Sequence, residues 1–381
     1  MLVFTAQIAN FAKINFRMSI IPISQWFKGV ENRPLIIAGP CSAETREQVL
    51  KTARLLAHLG RVDVLRAGVW KPRSRPGNFQ GAGEPALEWL AEAKQETGLL
   101  LAVEVATPQH LELAMRYGVD LFWVGARTLL NPFSVDELAT AMEGINKPVL
   151  IKNPIHPDLD LWIGTIERFA KAGVQRLGAI HRGFSPFQKS TFRNLPKWEM
   201  PIDLKSVMPN LPIICDPSHI SGNPDLIQDI SQKALDLSMD GLMIESHVTP
   251  SEALSDAKQQ VTPAELGRIL ADLSYRKILP GNIDSVDILE SLREKIDSLD
   301  MQILELLAQR MDIVDNIAEY KIKNNVAIMQ LRRWEEMIER RIEFAEQLGL
   351  STEYVKNLLR LVHMESVRKQ AQIISPRENL G

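Results

Sequence analysis

Two cysteines in 381 residues exclude a disulfide framework, and no apolar stretch approaches the ~20 residues that a membrane-spanning helix needs. An excess of charge of one sign is missing too. The net value of −3 offers no general attraction for nucleic acid or an anionic membrane, so neither is expected as a partner. Local basic clusters can still hold small phosphorylated or carboxylated metabolites. The sparse cysteines suit a reducing compartment, and a cytoplasmic location is expected. Residues 1–30 contain no Asp or Glu and carry Lys13 and Arg17, a faint transit-peptide character, yet no small-residue cleavage site follows an apolar core. Met18 is an alternative translation start.

The length exceeds the usual size of one core, so two domains are expected. Between residues 33 and 275, eight short apolar runs alternate with helix-like stretches: 35–38, 62–65, 99–105, 121–124, 149–151, 176–180, 212–214 and 241–244. Runs apolar throughout imply strands buried on both faces, and alternation with helices implies parallel pairing by crossovers. Eight such units predict a (β/α)8 TIM barrel, with residues 1–32 as an N-terminal extension. After Tyr275 the texture changes. Residues 276–284 read as a linker, and over 285–374 Pro and Gly nearly vanish while Ile288, Leu292, Ile296, Leu299, Ile303, Leu306 and Leu307 set heptad-like spacing. This predicts an all-α three-helix domain, with helices near 285–324, 331–348 and 351–373 and a C-terminal tail over 375–381. A first helix of about 60 Å is too long for two shorter partners to cover, so pairing with a second protomer is expected.

In a (β/α)8 barrel the active site lies at the carboxyl ends of the strands. There the sequence places Cys41, the basic segment from Arg66 to Arg73, Glu104, Arg127, Lys152, His181 with Arg182, His219 and Glu245, and Asp256 follows in the last connection. Cys41, His219, Glu245 and Asp256 form a mixed soft and hard donor set suited to one divalent ion: Mn2+, Fe2+, Co2+ or Zn2+. Cys215 reads as a buried strand residue. Arg66, Lys71, Arg73 and Ser74, with Arg127, Lys152 and Arg182, make a cationic floor able to hold phosphates and a carboxylate.

The strings Ala38-Gly39-Pro40-Cys41-Ser42, Lys71-Pro72-Arg73-Ser74, Val124-Gly125-Ala126-Arg127, Asp216-Pro217-Ser218-His219, Ile244-Glu245-Ser246-His247 and Leu254-Ser255-Asp256-Ala257-Lys258 resemble 3-deoxy-D-arabino-heptulosonate 7-phosphate (DAHP) synthase. The resemblance implies condensation of phosphoenolpyruvate with erythrose 4-phosphate, the first step of the shikimate pathway. It implies a metal on Cys41, His219, Glu245 and Asp256, the phosphoenolpyruvate phosphate on Arg127, Lys152 and Arg182, and its carboxylate side on Lys71 and Arg66. Arg73 and Ser74 would take the erythrose phosphate. Lys71 is also a candidate proton donor to the new alkoxide, and Glu104 a water-positioning or structural group. A related branch, the eight-carbon sugar-acid synthases, uses a five-carbon aldose phosphate, and Lys-Pro-Arg-Ser stands against it.

On the first helix Arg310 and Lys321 lie eleven residues apart and share a face within about 20°, whereas Arg293 lies about 100° from Arg310 around the axis. Ser366 and Gln370, at i and i+4, face together on the third helix. The phrases Leu292-Arg293-Glu294-Lys295-Ile296-Asp297, Leu307-Ala308-Gln309-Arg310, Ile317-Ala318-Glu319-Tyr320-Lys321 and Glu365-Ser366-Val367 with Gln370 resemble an all-helical chorismate mutase. That resemblance implies rearrangement of chorismate to prephenate with no cofactor, in a homodimer through the helical domain where Arg293 reaches the partner's site. Arg293, Arg310 and Arg333 would bind carboxylates or shape the pocket, Lys321 and Gln370 would donate to the ether oxygen, and Ser366 would contact a carboxylate. Where the family pattern has Arg followed by the Glu that binds the substrate hydroxyl, this chain reads Leu331-Arg332-Arg333-Trp334-Glu335, so either Trp334 replaces that Glu or the register slips and Glu335 supplies it. A rival reading makes residues 285–374 an allosteric module that binds chorismate or prephenate and tunes the barrel.

Overall fold

The computed structural model describes residues 19–30, 33–71, 77–186, 189–275, 283–328 and 331–374. Eight parallel strands close into a barrel in sequence order. They are β1 Leu35–Gly39, β2 Val64–Arg66, β3 Leu100–Glu104, β4 Leu121–Val124, β5 Val149–Lys152, β6 Leu177–His181, β7 Ile213–Cys215 and β8 Gly241–Glu245. Each overlaps one of the apolar runs. Around them lie α1 Arg46–His58, α2 Glu84–Thr97, α3 Pro108–Arg116, α4 Pro132–Ala141, α5 Leu159–Lys171, α6 Glu199–Val207, the short α7 Pro217–Ser221, α8 Ile227–Asp236 and α9 Pro263–Asp272. Side chains at helix starts end several crossovers: Thr45, Thr107 and Asp158 cap α1, α3 and α5, and Thr262 forms a reciprocal capping box with Glu265 on α9.

Alternation along the strands sorts the core into two layers. Leu35, Ile37, Val64, Ala102, Leu121, Leu150, Ile180, Ile214 and Met243 fill the barrel interior, while Ile36, Ala38, Leu65, Leu101, Val103, Ile151 and Ala179 pack outward against the helices. Of the segment before β1, which the sequence reads as an extension, the described residues 19–30 contribute to this core. Trp26 and Val30 are buried against the interior layer at its amino-terminal end, and the Trp26 indole donates to Ile21 O at 2.9 Å.

The seam of the barrel pairs Gly39 with Glu245 across β1 and β8. Gly39 has φ +150°, and a Cβ there would meet Arg66 O at 2.1 Å, so the backbones of β1 and β2 can close only around a glycine. Gly39→Ala should destabilise the barrel by more than about 2 kcal/mol, read as a lower denaturant midpoint at unchanged helicity of the native state.

A second compact unit begins at Leu279. Its helices are α10 Ile283–Lys323, α11 Leu331–Gln347 and α12 Thr352–Ile374. Ser351 caps α12, its hydroxyl accepting from Tyr354 N at 3.4 Å. Helix α12 packs on both of the others. At 41 residues α10 is about 60 Å long, and Leu292, Ile296, Leu299, Ile303, Leu306 and Ile313 on it are each at least half exposed. No described helix is long and apolar enough to cross a membrane.

Candidate active sites

The interior alternation continues past the last apolar residue of each strand and turns polar. Two residues beyond Ile37, Val64, Ala102, Leu150, Ile180, Ile214 and Met243 stand Gly39, Arg66, Glu104, Lys152, Arg182, Asp216 and Glu245. These residues therefore face one mouth. His181 is out of phase: it lies between Phe184 and Trp198, ring centroids 6.0 and 5.3 Å away, where burial pushes it down to about 3. It packs the wall and stays neutral.

Three of the four metal-type residues converge. Ligand atoms of Cys41, Glu245 and Asp256 all lie within 4.8 Å of one another, with Cys41 Sγ 3.6 Å from Asp256 Oδ2. Donors about 2.0 to 2.3 Å from a shared ion cannot be more than about 4.6 Å apart, so the trio is near the spacing one ion requires. His219 stands beside rather than within that trio, its Nε2 3.9 Å from Glu245 Oε1. The other ring nitrogen contacts Asp216 at 2.9 to 3.0 Å, the carboxylate contact that orients an imidazole toward a metal. Glu245 Oε1 is buried with no hydrogen-bond partner, a lone pair left for a cation. The residues present thus fit a divalent ion.

Around the trio the charges are interlocked. Lys71 Nζ lies 3.1 Å from Cys41 Sγ, Arg66 pairs with Glu245 at 3.3 Å, and buried Lys152 donates to Asp216 at 3.0 Å. Arg66 and Lys152 sit 5.0 and 5.9 Å from the Trp123 ring, whose Nε1 donates to Glu104 at 3.0 Å. Glu104 in turn explains Gly125, where a Cβ would lie 2.1 Å from its Oε1. Burial, with help from Arg193 and Arg127, pushes Arg182 down to about 10, so it stays a cation at neutral pH. Arg127 is exposed at the rim. Arg73 and Ser74 lie outside the described residues.

Several contributors had escaped the sequence reading. Arg193 pairs with Asp256 at 3.1 Å, and its charge, with that of Lys71, holds that carboxyl at about 2 against burial. Gln259 donates to Glu245 at 2.6 Å, and Gln260 accepts from Cys41 N at 2.9 Å while donating to Ser255 O at 2.9 Å. Asp216 is held well below the usual carboxylate range by His219 and Lys152 despite complete burial. The Asp-Pro-Ser-His string was visible in the sequence, but nothing in it announced that Asp216 would join two other strand ends.

In the helical unit Arg310, Val314, Ala318 and Lys321 form one face of α10, with Val314 and Ala318 buried. Arg310 donates to Ser366 Oγ at 2.5 Å, and Lys321 donates to Gln370 Oε1 at 3.1 Å and to Ile328 O at 2.5 Å. These four sequence candidates meet. Arg293 does not join them and pairs on the surface with Glu290 at 3.3 Å. The side chains of Arg333 and Glu335 lie outside the described residues. Trp334 stacks on His363.

Residues 12–276 match the model of the DAHP synthetase I family, and residues 292–371 match chorismate mutase type II. A phospho-2-dehydro-3-deoxyheptonate aldolase of Thermotoga maritima is 37% identical over 226 residues, 59% of this chain and 64% of that protein. A bifunctional chorismate mutase/prephenate dehydratase of Buchnera aphidicola is 35% identical over 82 residues, 22% of this chain and 21% of its own length. This chain therefore spans just under two thirds of the first relative and about a fifth of the second. A solved phospho-2-dehydro-3-deoxyheptonate aldolase (DAHP synthase) of Thermotoga maritima superimposes with TM-score 0.57 at 34% identity, covering 63% of this chain and 68% of the other.

Burial and the neighbouring Glu245 push the Cys41 thiol up to about 11, so at neutral pH it carries a proton. Glu245 and Asp256 are held low and His219 is pushed below its ordinary value, so those donors are already deprotonated. Binding of an ion as thiolate must expel the Cys41 proton alone. Affinity for Zn2+ or Co2+ should rise about tenfold per pH unit between 7 and 9, with one proton released per ion in weakly buffered calorimetry. Cys41→Ser should bind more weakly and flatten that slope; an unchanged slope would remove the thiol from the donor set.

Proposed function

Because the chain belongs to the DAHP synthetase I family, we propose that its barrel condenses phosphoenolpyruvate with erythrose 4-phosphate to DAHP and phosphate, and that its helical unit rearranges chorismate to prephenate. The observation that carries the barrel reading is Arg66. It is fully buried, yet its Nε and Nη1 have no partner, beside the Cys41, Glu245 and Asp256 trio. A guanidinium taken out of water with donors free calls for an anionic ligand.

In this reading Arg66 and Lys71 hold the carboxylate side of phosphoenolpyruvate, and Lys152, Arg182 and Arg127 hold its phosphate. Arg73 and Ser74 take the erythrose phosphate. A divalent ion on Cys41, His219, Glu245 and Asp256, drawn from Mn2+, Fe2+, Co2+ and Zn2+, supplies Lewis acidity toward a carbonyl or a water. C3 of phosphoenolpyruvate forms the new bond to the aldehyde carbon, the carbonyl electrons move to oxygen, and Lys71 delivers a proton there. Water adds at C2 and phosphate leaves. Trp123 fixes Glu104 by hydrogen bonding, which supports a structural role for that carboxylate.

The mutase reading rests on Arg310 with Ser366 and Lys321 with Gln370, paired donors suited to a dicarboxylate and a developing negative ether oxygen. The rearrangement is intramolecular and needs no cofactor. We assign the synthase to residues 33–275, the mutase to 285–374, a connection to 276–284 and a tail to 375–381. The apolar residues exposed along α10 support a homodimer through the helical unit, in which Arg293 and Arg333 complete the partner's and the chain's own carboxylate sites. A cytoplasmic location goes with this metabolism. The replacement of the expected carboxylate by Trp334 favours a second reading, in which chorismate or prephenate binding to this unit regulates the barrel.

Loss of phosphoenolpyruvate should require erythrose 4-phosphate and stop on chelation, with a five-carbon aldose phosphate competing poorly. Lys71→Ala should lower condensation by at least about a hundredfold at saturating metal while full metal occupancy is still reached. Turnover near that of the parent chain would remove Lys71 from the mechanism. Prephenate formation by the full chain separates a working mutase from a purely regulatory module.

A further inference from the structure

On α12, His363 precedes Ser366 by three residues and Gln370 by seven, so the three side chains lie along one face. The His363 ring stacks on Trp334 of α11, centroids 3.9 Å apart and planes 23° from parallel. Stacking fixes where the edge of the imidazole points. That edge presents Nε2, which is shielded from solvent and has no hydrogen-bond partner. Its neighbours along the face are satisfied: Ser366 accepts from Arg310 and donates to Val362 O at 2.7 Å, and Gln370 accepts from Lys321 and donates to Ser366 O at 3.2 Å. A lone unsatisfied nitrogen in an otherwise closed network marks the position of an absent partner.

The charge of the surroundings narrows what that partner is. Burial, with Arg310 and Lys321 nearby, lowers His363 from its ordinary value, so the imidazole is uncharged at neutral pH. A carboxylate goes to the guanidinium and the charge developing on the ether oxygen to the ammonium, since both meet anionic oxygen more strongly than a neutral ring does. Chorismate carries two carboxylates, an ether oxygen and one uncharged polar group, the ring hydroxyl. Resting on the mutase reading above, we propose that His363 is a specificity contact whose Nε2 bonds the ring hydroxyl of chorismate, with Trp334 as the positioning residue that holds the imidazole in place. The pairing matches a neutral donor and acceptor to a neutral donor and acceptor, and it explains why a Trp can stand where a carboxylate was expected: the polar contact has moved from α11 to α12.

The test uses the full chain. His363→Phe keeps a ring to stack on Trp334 and removes both nitrogens. Steady-state rates on chorismate and on an analogue lacking the ring hydroxyl form a cycle. The parent chain should lose about tenfold in kcat/KM when the hydroxyl is removed. His363→Phe should lose about tenfold on chorismate, chiefly in KM, and nothing further on the analogue; His363→Gln, which restores a donor, should recover part of the loss. Far-ultraviolet circular dichroism equal to the parent's excludes misfolding. The proposal is overturned if His363→Phe matches the parent on chorismate, or if the hydroxyl penalty persists undiminished in the variant. Should the parent chain show no turnover at all, the mutase reading fails by itself, and the same cycle read as Kd for chorismate and the analogue decides the contact. Equal Kd values for parent and variant, or no binding of chorismate, would then overturn it.

Discussion

The barrel depends on one constraint: charges removed from water at the strand ends must compensate one another. Asp216 is the hub. It accepts from Lys152, contacts the His219 imidazole, and stays ionised although wholly buried. Stripping one partner from such a buried pair costs about 3 to 5 kcal/mol, because the remaining charge is left unpaired in a poorly polarisable interior. Glu245 and Arg66 repeat the arrangement across the mouth, but at 3.3 Å and without hydrogen-bond alignment, which leaves donor capacity on one and acceptor capacity on the other. Incomplete internal compensation is what makes the cup receptive: its cations are held in place by fixed carboxylates, yet not consumed by them.

Barrel closure brings the donor set together. Cys41 follows β1 and Glu245 ends β8, and the register Gly39 to Glu245 at the seam makes neighbours of residues some two hundred positions apart in the chain. Asp256 arrives from the connection after β8, with positive φ of 47°, a backbone state that Asp tolerates better than most side chains. It is held by Arg193 on one side and by the loop contacts on the other: Leu254 N donates to Glu44 at 2.9 Å, and the Ser42 and Ser255 hydroxyls meet at 2.5 Å. The Cys41, Glu245 and Asp256 trio is therefore held in place by a ring of amides and hydroxyls whose removal would loosen those side chains without touching them.

Much of this was legible in the sequence, for physical reasons that differ by level. Strands buried on both faces must be apolar throughout, so all eight runs were visible, and a helical segment with no Pro and a single Gly, Gly349 between its second and third helices, let most helix ends be placed to within a residue or two. The mouth was legible because the polar residue after each run has few other reasons to be there. Finer placement lay in the period-two phase: counting two residues on from the inward Ile180 selects Arg182 and rejects His181, a distinction that reading each strand end as a block had missed. Arg193, Gln259 and Gln260 carried no such signal. They sit in connections, where no periodicity says which way a side chain points, and glutamine is not a residue whose type announces a role. The clasp of Trp26 was hidden for a related reason, since a short apolar segment before the first strand has no repeat to identify it.

On the function proposed above, the two units illustrate how chemistry selects architecture. A carbon–carbon bond formed between two anionic substrates needs their mutual repulsion cancelled and a carbonyl made electrophilic, so charges of both signs must converge from many directions. A closed ring of strands supplies that, because every strand end addresses the same small volume. An intramolecular rearrangement asks only that one molecule be compacted and that charge growing on one oxygen be met by donors already in place. Two helices crossing a third suffice, with Arg310 and Lys321 three turns apart on one and Ser366 and Gln370 one turn apart on another. Such a site is sparing in polar groups, so each that remains unpaired carries more information than it would in the barrel. In a mouth crowded with ions, one orphaned nitrogen is ambiguous; along the α12 face where Ser366 and Gln370 have found their partners, the orphan at His363 points to a specific absence.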